Sequence, residues 1–371
     1  MIVSKGRSSR DGRCAARAIR LATVLLLVAA ASAGATDDNE CAASGSLHFL
    51  CGIQNGEDLV HLPGSQWIVA SRMVPAGGLV LIDAETRQWS GASLSSTAQV
   101  DAAVYPSCSE PPEPESFVTH GLSVVERDDG RTQLLVVGHG GREAIEIYDV
   151  STAGERPELT WVGCVRTPEA LEANSVAGLP DGSMLVTIPL DHGRTIPDAI
   201  RGEPTGAVHA WSPGEAEMTR LAGTELPYGN GIEVAEDGTR FWVVTSGTGR
   251  IVEFANTRPV EVLRNEGPFD FVPDNLRRGP DGRLLTAGLV ADDDECGNVD
   301  RSGGFDLAEF AACPRPFVVH AIDPETLEGE DLLRAPRVAT FSNVTIGIVV
   351  GDELWIGSFG SDRIAVGSVE D

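Results

Sequence analysis

Seven histidines occur in the chain, and two of them, His120 and His139, stand where an apolar run meets glycine. His120 precedes Gly121, and His139 lies between Gly138 and Gly140. Read as strands, residues 121–125 and 134–137 form a hairpin across Asp128-Asp129-Gly130, with 145–148 as a third strand. Each histidine then lies at a strand end, where glycine lets a ligand or a neighbouring backbone approach. An imidazole there can titrate near neutrality and move a proton. A lone loop-edge histidine is ordinarily structural, whereas two placed alike are a candidate proton-transfer pair.

A second set of residues could hold a metal. Glu57-Asp58, Asn174-Ser175, Asn230-Gly231 and Asp274-Asn275 are each followed by an apolar stretch and a turn. Singly they have ordinary roles: an Asn-Gly turn, a solvated acidic pair, local caps. Their equivalent placement points instead to oxygen donors converging on one spot. Carboxylate and amide oxygens suit a hard cation, and Ca²⁺ takes about six to eight of them. The chain has no C-x-x-C, so zinc and thioredoxin chemistry lack support. It has no G-x-S-x-G elbow, which argues against a serine hydrolase.

The elements that must position these groups recur along the chain. A turn leads into a short apolar strand, and a second strand follows. The pairs are 67–71 with 79–83, 134–137 with 145–149, 184–187 with 208–211, 241–245 with 251–254, 284–287 with 318–322, and 354–358 with 364–366. Turns such as Asp129-Gly130, Asp181-Gly182, Asp237-Gly238 and Asp281-Gly282 precede the first members. Six such units predict an all-β, six-bladed β-propeller, with a pair of β-sandwiches as the alternative. Residues 36–371 then form one domain, because each blade buries its faces against its neighbours. The repeated donor positions fall on one face, at the mouth of the central channel. No helix is expected except a short one near 306–312. The proline-rich segment 107–116 reads as a surface loop, and 292–316 as a solvated, disulfide-closed insertion in the fifth unit.

Composition bounds the partners. The formal charge is −27, and residues 1–35 hold six Lys/Arg against Asp11 alone. That segment reads as an export signal: a basic start, an apolar core at 21–30 and A-x-A cleavage sites. Its apolar run is short for a bilayer span, so no stable membrane insertion is expected after its removal. The remaining acidic surface repels nucleic acid and anionic lipid. Six cysteines remain, which in an exported protein implies disulfides. Many pairings are open; we favour Cys41–Cys51, Cys108–Cys164 and Cys296–Cys313, the first and last of which close short loops. The protein is expected to be secreted or periplasmic.

GEDL at 56–59, HGLS at 120–123, LLVVGH at 134–139, the Asn174 segment, GNGI at 229–232 and PDNL at 273–276 follow one another along nearly the whole chain. In this order they resemble the calcium-dependent paraoxonase/arylesterase family, within the wider gluconolactonase and strictosidine-synthase-like propellers. The resemblance implies a catalytic calcium held by Glu57, Asn174, Asn230, Asp274 and Asn275, with His120 and His139 as a histidine dyad. It also implies a second, structural calcium at Asp58 and the Leu122 carbonyl. There the chain departs: Ser175 stands where the family has Asp, and a hydroxyl is the weaker ligand, which puts the second ion in doubt. The implied activity is hydrolysis of lactones or aryl esters, with water activated by the dyad. Substrate loops are expected at 73–78, which begins with Met73, at 107–119 and 191–204, and at Tyr228. Two other readings stand beside this one. One is a calcium-stabilised binding protein without catalysis. The other is a sugar-lactone hydrolase that uses a carboxylate beside the metal.

Overall fold

The computed structural model describes residues 41–92 and 100–369; the expected leader, 1–35, lies outside them. Six four-stranded antiparallel sheets make up the described chain, as blades of the expected propeller. Their inner strands are Leu59–His61, Val118–Glu126, Ser175–Gly178, Gly229–Val234, Phe271–Arg278 and Val344–Val350, in blades one to six. The second and third strands of each blade coincide with the six pairs read from the sequence. Blade six takes its outer strand, His48–Cys51, from the start of the described chain, paired with Arg363–Ser368. That closure is invisible to a repeat search, because the closing strand stands a whole ring away in sequence.

The repeated Asp-Gly turns have one construction. Gly130, Gly182, Gly238 and Gly282 all have φ between 68° and 92°, a region glycine enters freely. The preceding aspartate closes each turn by accepting from the backbone N–H two residues on, at 2.9–3.1 Å. These side-chain turns are what aspartate offers and most residues cannot.

Apolar side chains fill the seams between blades. One cluster joins blades one and two through Leu81, Leu122, Val136 and Trp161; another joins blades three and four through Leu185, Val208, Phe241 and Phe254. The expected cysteine pairs come together, with Cα–Cα distances of 6.0, 5.5 and 5.7 Å for Cys41–Cys51, Cys108–Cys164 and Cys296–Cys313. Two α-helices occur among the described residues: α1 is Ile196–Ile200, and α2, the expected one, is Leu307–Ala312. The first was not expected. Thr195 and Asp198 cap it reciprocally, with Pro197 in its first turn. No helix among the described residues is long and apolar enough to cross a membrane.

Candidate functional site

β-Bulges build the channel mouth. In blade four Gly229 pairs Thr245 and Ile232 pairs Val243, so Asn230 and Gly231 together oppose one residue. Asp274-Asn275 in blade five and His120-Gly121 in blade two sit in the same kind of irregularity. A regular strand sends neighbours to opposite faces; a bulge re-aims them. Adjacent residues such as Asp274 and Asn275 can therefore serve one site. The bulge glycines also make room. A Cβ on Gly121 would lie 2.4 Å from the Asn174 carbonyl oxygen, and one on Gly231 would lie 2.3 Å from Leu276 N.

Hydrogen bonds between blades fix the height of these segments. The Thr345 hydroxyl donates to the Glu57 carbonyl at 2.5 Å, Thr187 to the Asn230 carbonyl at 2.7 Å, and Ser246 to the Pro273 carbonyl at 2.7 Å. Arg72 N–H donates to Thr119 Oγ1 at 2.7 Å. Backbone around the site is thus tied before any ligand arrives.

The structure brings together Glu57, Asn174, Asn230 and Asp274 in the lining of one cavity of about 230 Å³, with His120. Asn275 is fully buried beside them, its Nδ2 donating to Glu57 Oε1 at 2.6 Å. Asn230 Nδ2 donates to Asp274 Oδ1 at 2.7 Å. A carboxylate only accepts, so each amide must turn its nitrogen to it and its oxygen elsewhere. The oxygens so freed, Asn230 Oδ1 and Asn275 Oδ1, are buried with no donor in the protein, as are Asn174 Oδ1 and Glu57 Oε2. Four buried acceptors without donors, from four blades, are costly unless a cation or a donor from outside the polypeptide meets them. Two carboxylates and three amides supply the oxygen-only, doubly negative donor set that a hard divalent cation takes. Among the described residues no group of three or more His, Cys, Asp or Glu is arranged for a metal; this donor set is mostly amide.

Electrostatics give the same picture. Burial, with Asp58 and Asp274 nearby, holds the Glu57 carboxyl well above the usual range. Burial raises Asp274 to about 7, against the Asn230 hydrogen bond. Carboxylates crowded away from water resist ionisation until a cation compensates them.

The two histidines meet. His120 Nδ1 lies 3.1 Å from His139 Nε2, and His139 Nδ1 lies 2.5 Å from Glu143 Oε2. An ionised Glu143 accepts, so His139 carries its proton on Nδ1 and offers its Nε2 lone pair to His120 Nδ1–H. His120 Nε2 is then a free base, 3.7 Å from Glu57 Oε1. Burial, then the neighbouring His139, pushes His120 down to about 3, which keeps it unprotonated. Glu143 was not singled out in the sequence; the available signal was an acidic residue closing the turn after His139.

Met73 and Tyr228, expected near substrate, line the cavity. Burial, then Asp274, raises the Tyr228 phenol. The 191–204 loop contributes Ile196 and Ile200 of α1. Two expectations fail. Segment 107–119 is absent from this lining and instead borders a separate cleft behind His139. The 292–316 insertion is more than a solvated loop: Val299, Phe305, Leu307 and Phe310 form an apolar wall over the channel mouth. Its aromatic and aliphatic residues were the missed signal, masked by the acidic run before them. Asp58 and the Leu122 carbonyl, expected to ligate a second ion, both accept instead from the guanidinium of Arg277. The Ser175 hydroxyl has no partner in the protein.

No family model matches the chain, and no curated protein matches it. Solved structures do. It is similar to a gluconolactonase from Xanthomonas campestris at 17% identity and TM-score 0.50, covering 87% of this chain and 89% of that one. A luciferin-regenerating enzyme is similar at 12% identity and TM-score 0.51, covering 86% and 92%. A Bacteroides thetaiotaomicron protein of unknown function is similar at 10% identity and TM-score 0.53, covering 87% and 75%. At these identities the likeness is one of fold, the six-bladed propeller.

Proposed function

We propose that the protein is an exported, calcium-dependent hydrolase of lactones or esters with apolar substituents. One observation carries this reading: three donorless buried oxygens, of Glu57, Asn174 and Asn230, belong to residues lining the same cavity as His120, the end of the His120–His139–Glu143 relay, and a fourth, of Asn275, lies beside Glu57. Glu57, Asn174, Asn230, Asp274 and Asn275 would hold the ion. When bound, calcium supplies Lewis-acid polarisation of a carbonyl and stabilises negative charge on its oxygen.

The chain's own residues do the rest. His120 Nε2 accepts a proton from water, which attacks the carbonyl carbon. Its Nδ1–H donates to His139, whose Nδ1–H donates to Glu143, so the new positive charge lies in line with a carboxylate. The proton returns to the leaving oxygen as the tetrahedral intermediate collapses to a hydroxy acid, or to an acid and an alcohol. The wall of Ile196, Ile200, Val299, Phe305 and Phe310 excludes water and seats apolar groups. A polyhydroxylated sugar would leave its hydroxyls unpaired there. The three disulfides fit an oxidising, exported setting.

A second reading is favoured by Asp274, raised to about 7: sugar-lactone hydrolysis with a carboxylate beside the ion as proton acceptor. A panel of alkyl lactones, aryl esters and gluconolactone, assayed with calcium and with chelator, separates the two. Calcium-dependent cleavage of the alkyl or aryl compounds supports the first. Cleavage of gluconolactone alone supports the second. Cleavage of nothing would leave a calcium-stabilised binding protein.

A further inference from the structure

One residue beyond Glu57 and two beyond Asn275, the channel carries a second polar tier. Asp58 is fully buried. Its Oδ1 accepts from Leu59 N–H at 2.8 Å and its Oδ2 from Leu122 N–H at 2.7 Å. Its Oδ2 also accepts from Arg277 Nη2, and the same nitrogen donates to the Leu122 carbonyl. Arg277 Nη1 donates to the Leu276 carbonyl at 2.6 Å. Arg277, only 7% exposed as a residue, thus reaches from blade five to groups of blades one and two.

The resemblance places a second cation on Asp58 and the Leu122 carbonyl, with the adjoining position now Ser175. These residues do not fit one, because a fixed positive group already lies on both. Charge counting agrees. Glu57, Asp58 and Asp274 interact as buried carboxylates, and Arg277 offsets the first two. One divalent ion and one guanidinium neutralise three carboxylates. Glu233, farther along, has Arg278 beside Arg277. A second divalent ion would leave buried positive charge unpaired, which is strongly disfavoured.

We propose that Arg277 is a built-in counter-cation that takes the place of a second metal. The chain therefore holds one divalent ion, and its ring stays closed when that ion is removed. The proposal rests on the reading above only for the one ion of the first tier.

The test measures calcium per chain and thermal unfolding with and without chelator. It uses the wild type, Arg277→Leu, and the double variant Asp58→Asn/Arg277→Leu. The wild type should hold one calcium and keep its far-ultraviolet spectrum in chelator. Arg277→Leu, with Asp58 uncompensated, should bind one more calcium than the wild type, more weakly, and gain a calcium-dependent rise in Tm at that second, higher concentration. The double variant should fold and return to the wild-type count. Two tight ions in the wild type would overturn the proposal, as would an Arg277→Leu protein that folds and gains no ion. If Arg277→Leu does not fold, the double variant decides: folding with the wild-type count supports the proposal, and failure to fold overturns it. A wild type with no ion, beside an Arg277→Leu that binds one, would uphold Arg277 and refute the first-tier reading.

Discussion

The two tiers of the channel are built by sequence neighbours, yet they solve burial in opposite ways. Glu57 and Asn275 belong to the first, where oxygens from four blades lack donors. Asp58 and Arg277, one and two residues along, belong to the second, where the aspartate has two backbone N–H groups and a guanidinium. In the second tier the buried carboxylate is compensated by the polypeptide, although Arg277 Nε and the Ser175 hydroxyl lack partners there; in the first, four acceptors meet no donor. Buried polar groups are normally satisfied, so a cluster of unmet acceptors marks the functional tier and a charge-compensated carboxylate the structural one.

The largest effect that could break this contrast belongs to Asp274→Ala. With calcium about a hundredfold above Kd, a bound ion stabilises the native state by about 2.7 kcal/mol. The variant should lose most of that gain and lose hydrolysis by more than about ten-thousandfold, beyond the general-base range. In chelator at pH 8 it should be no less stable than wild type, because a buried, uncompensated charge has gone. Calorimetry showing a destabilised metal-free variant would mean Asp274 is structural.

His120→Gln separates the relay from the ion. It should lower kcat by about 10²–10⁴-fold and leave calcium affinity unchanged in a titration. Wild-type turnover on every substrate would remove His120 as the base and favour a carboxylate in that role.

Glu143→Gln should cost less, about tenfold in kcat, since glutamine can still accept from His139 but carries no charge to offset the protonated pair. The loss should appear in kcat rather than KM. An unchanged kcat would show that the dyad works without its carboxylate.

The smallest effect is a pH dependence. Asp274 has a native pKa of about 7 against an ordinary 3.8. The metal-free native state therefore binds more protons than the unfolded chain between those values. Through this group, stability is highest at low pH and falls as pH rises toward 7. Calcium must displace that proton below 7, so through this group its affinity should rise by up to about tenfold per pH unit there, and the raised Glu57 carboxyl adds in the same direction. His120 acts oppositely: lowered from 6.5 to about 3, it contributes stability above 6.5 that is lost on acidification. Titrations in two buffers of different ionisation heat should detect more proton release at pH 6 than at pH 8.5. Equal release at both would contradict the raised Asp274.

Much of the ring was legible because its signals are local. Asp129-Gly130 and its counterparts declare turns, and 67–71 or 241–245 declare strands. The oxygen donors were legible through their common position ahead of those turns. Glu143 was not, because its meeting with His139 depends on how a Gly-Gly-Arg turn folds back. Arg277 was not singled out beside Arg278, although its two-residue spacing from Asn275 places both on one strand face. The insertion misled for a third reason. Its acidic start suggested solvent, while Phe305 and Phe310 show their role only when the loop lies over the channel.

The pairing of His48–Cys51 with Arg363–Ser368 has one more consequence. The first and last described strands are neighbours, so the order of the blades along the gene is incidental to the ring. A chain rejoined by a short linker there and cut at the exposed Asp129-Gly130 turn would run through the same six blades from a different start. Such circular permutation succeeds at exposed loop tips. A permutant with unaltered calcium affinity would place the site's identity in the closed circle of strands, and a permutant that lost it would place it in the starting point.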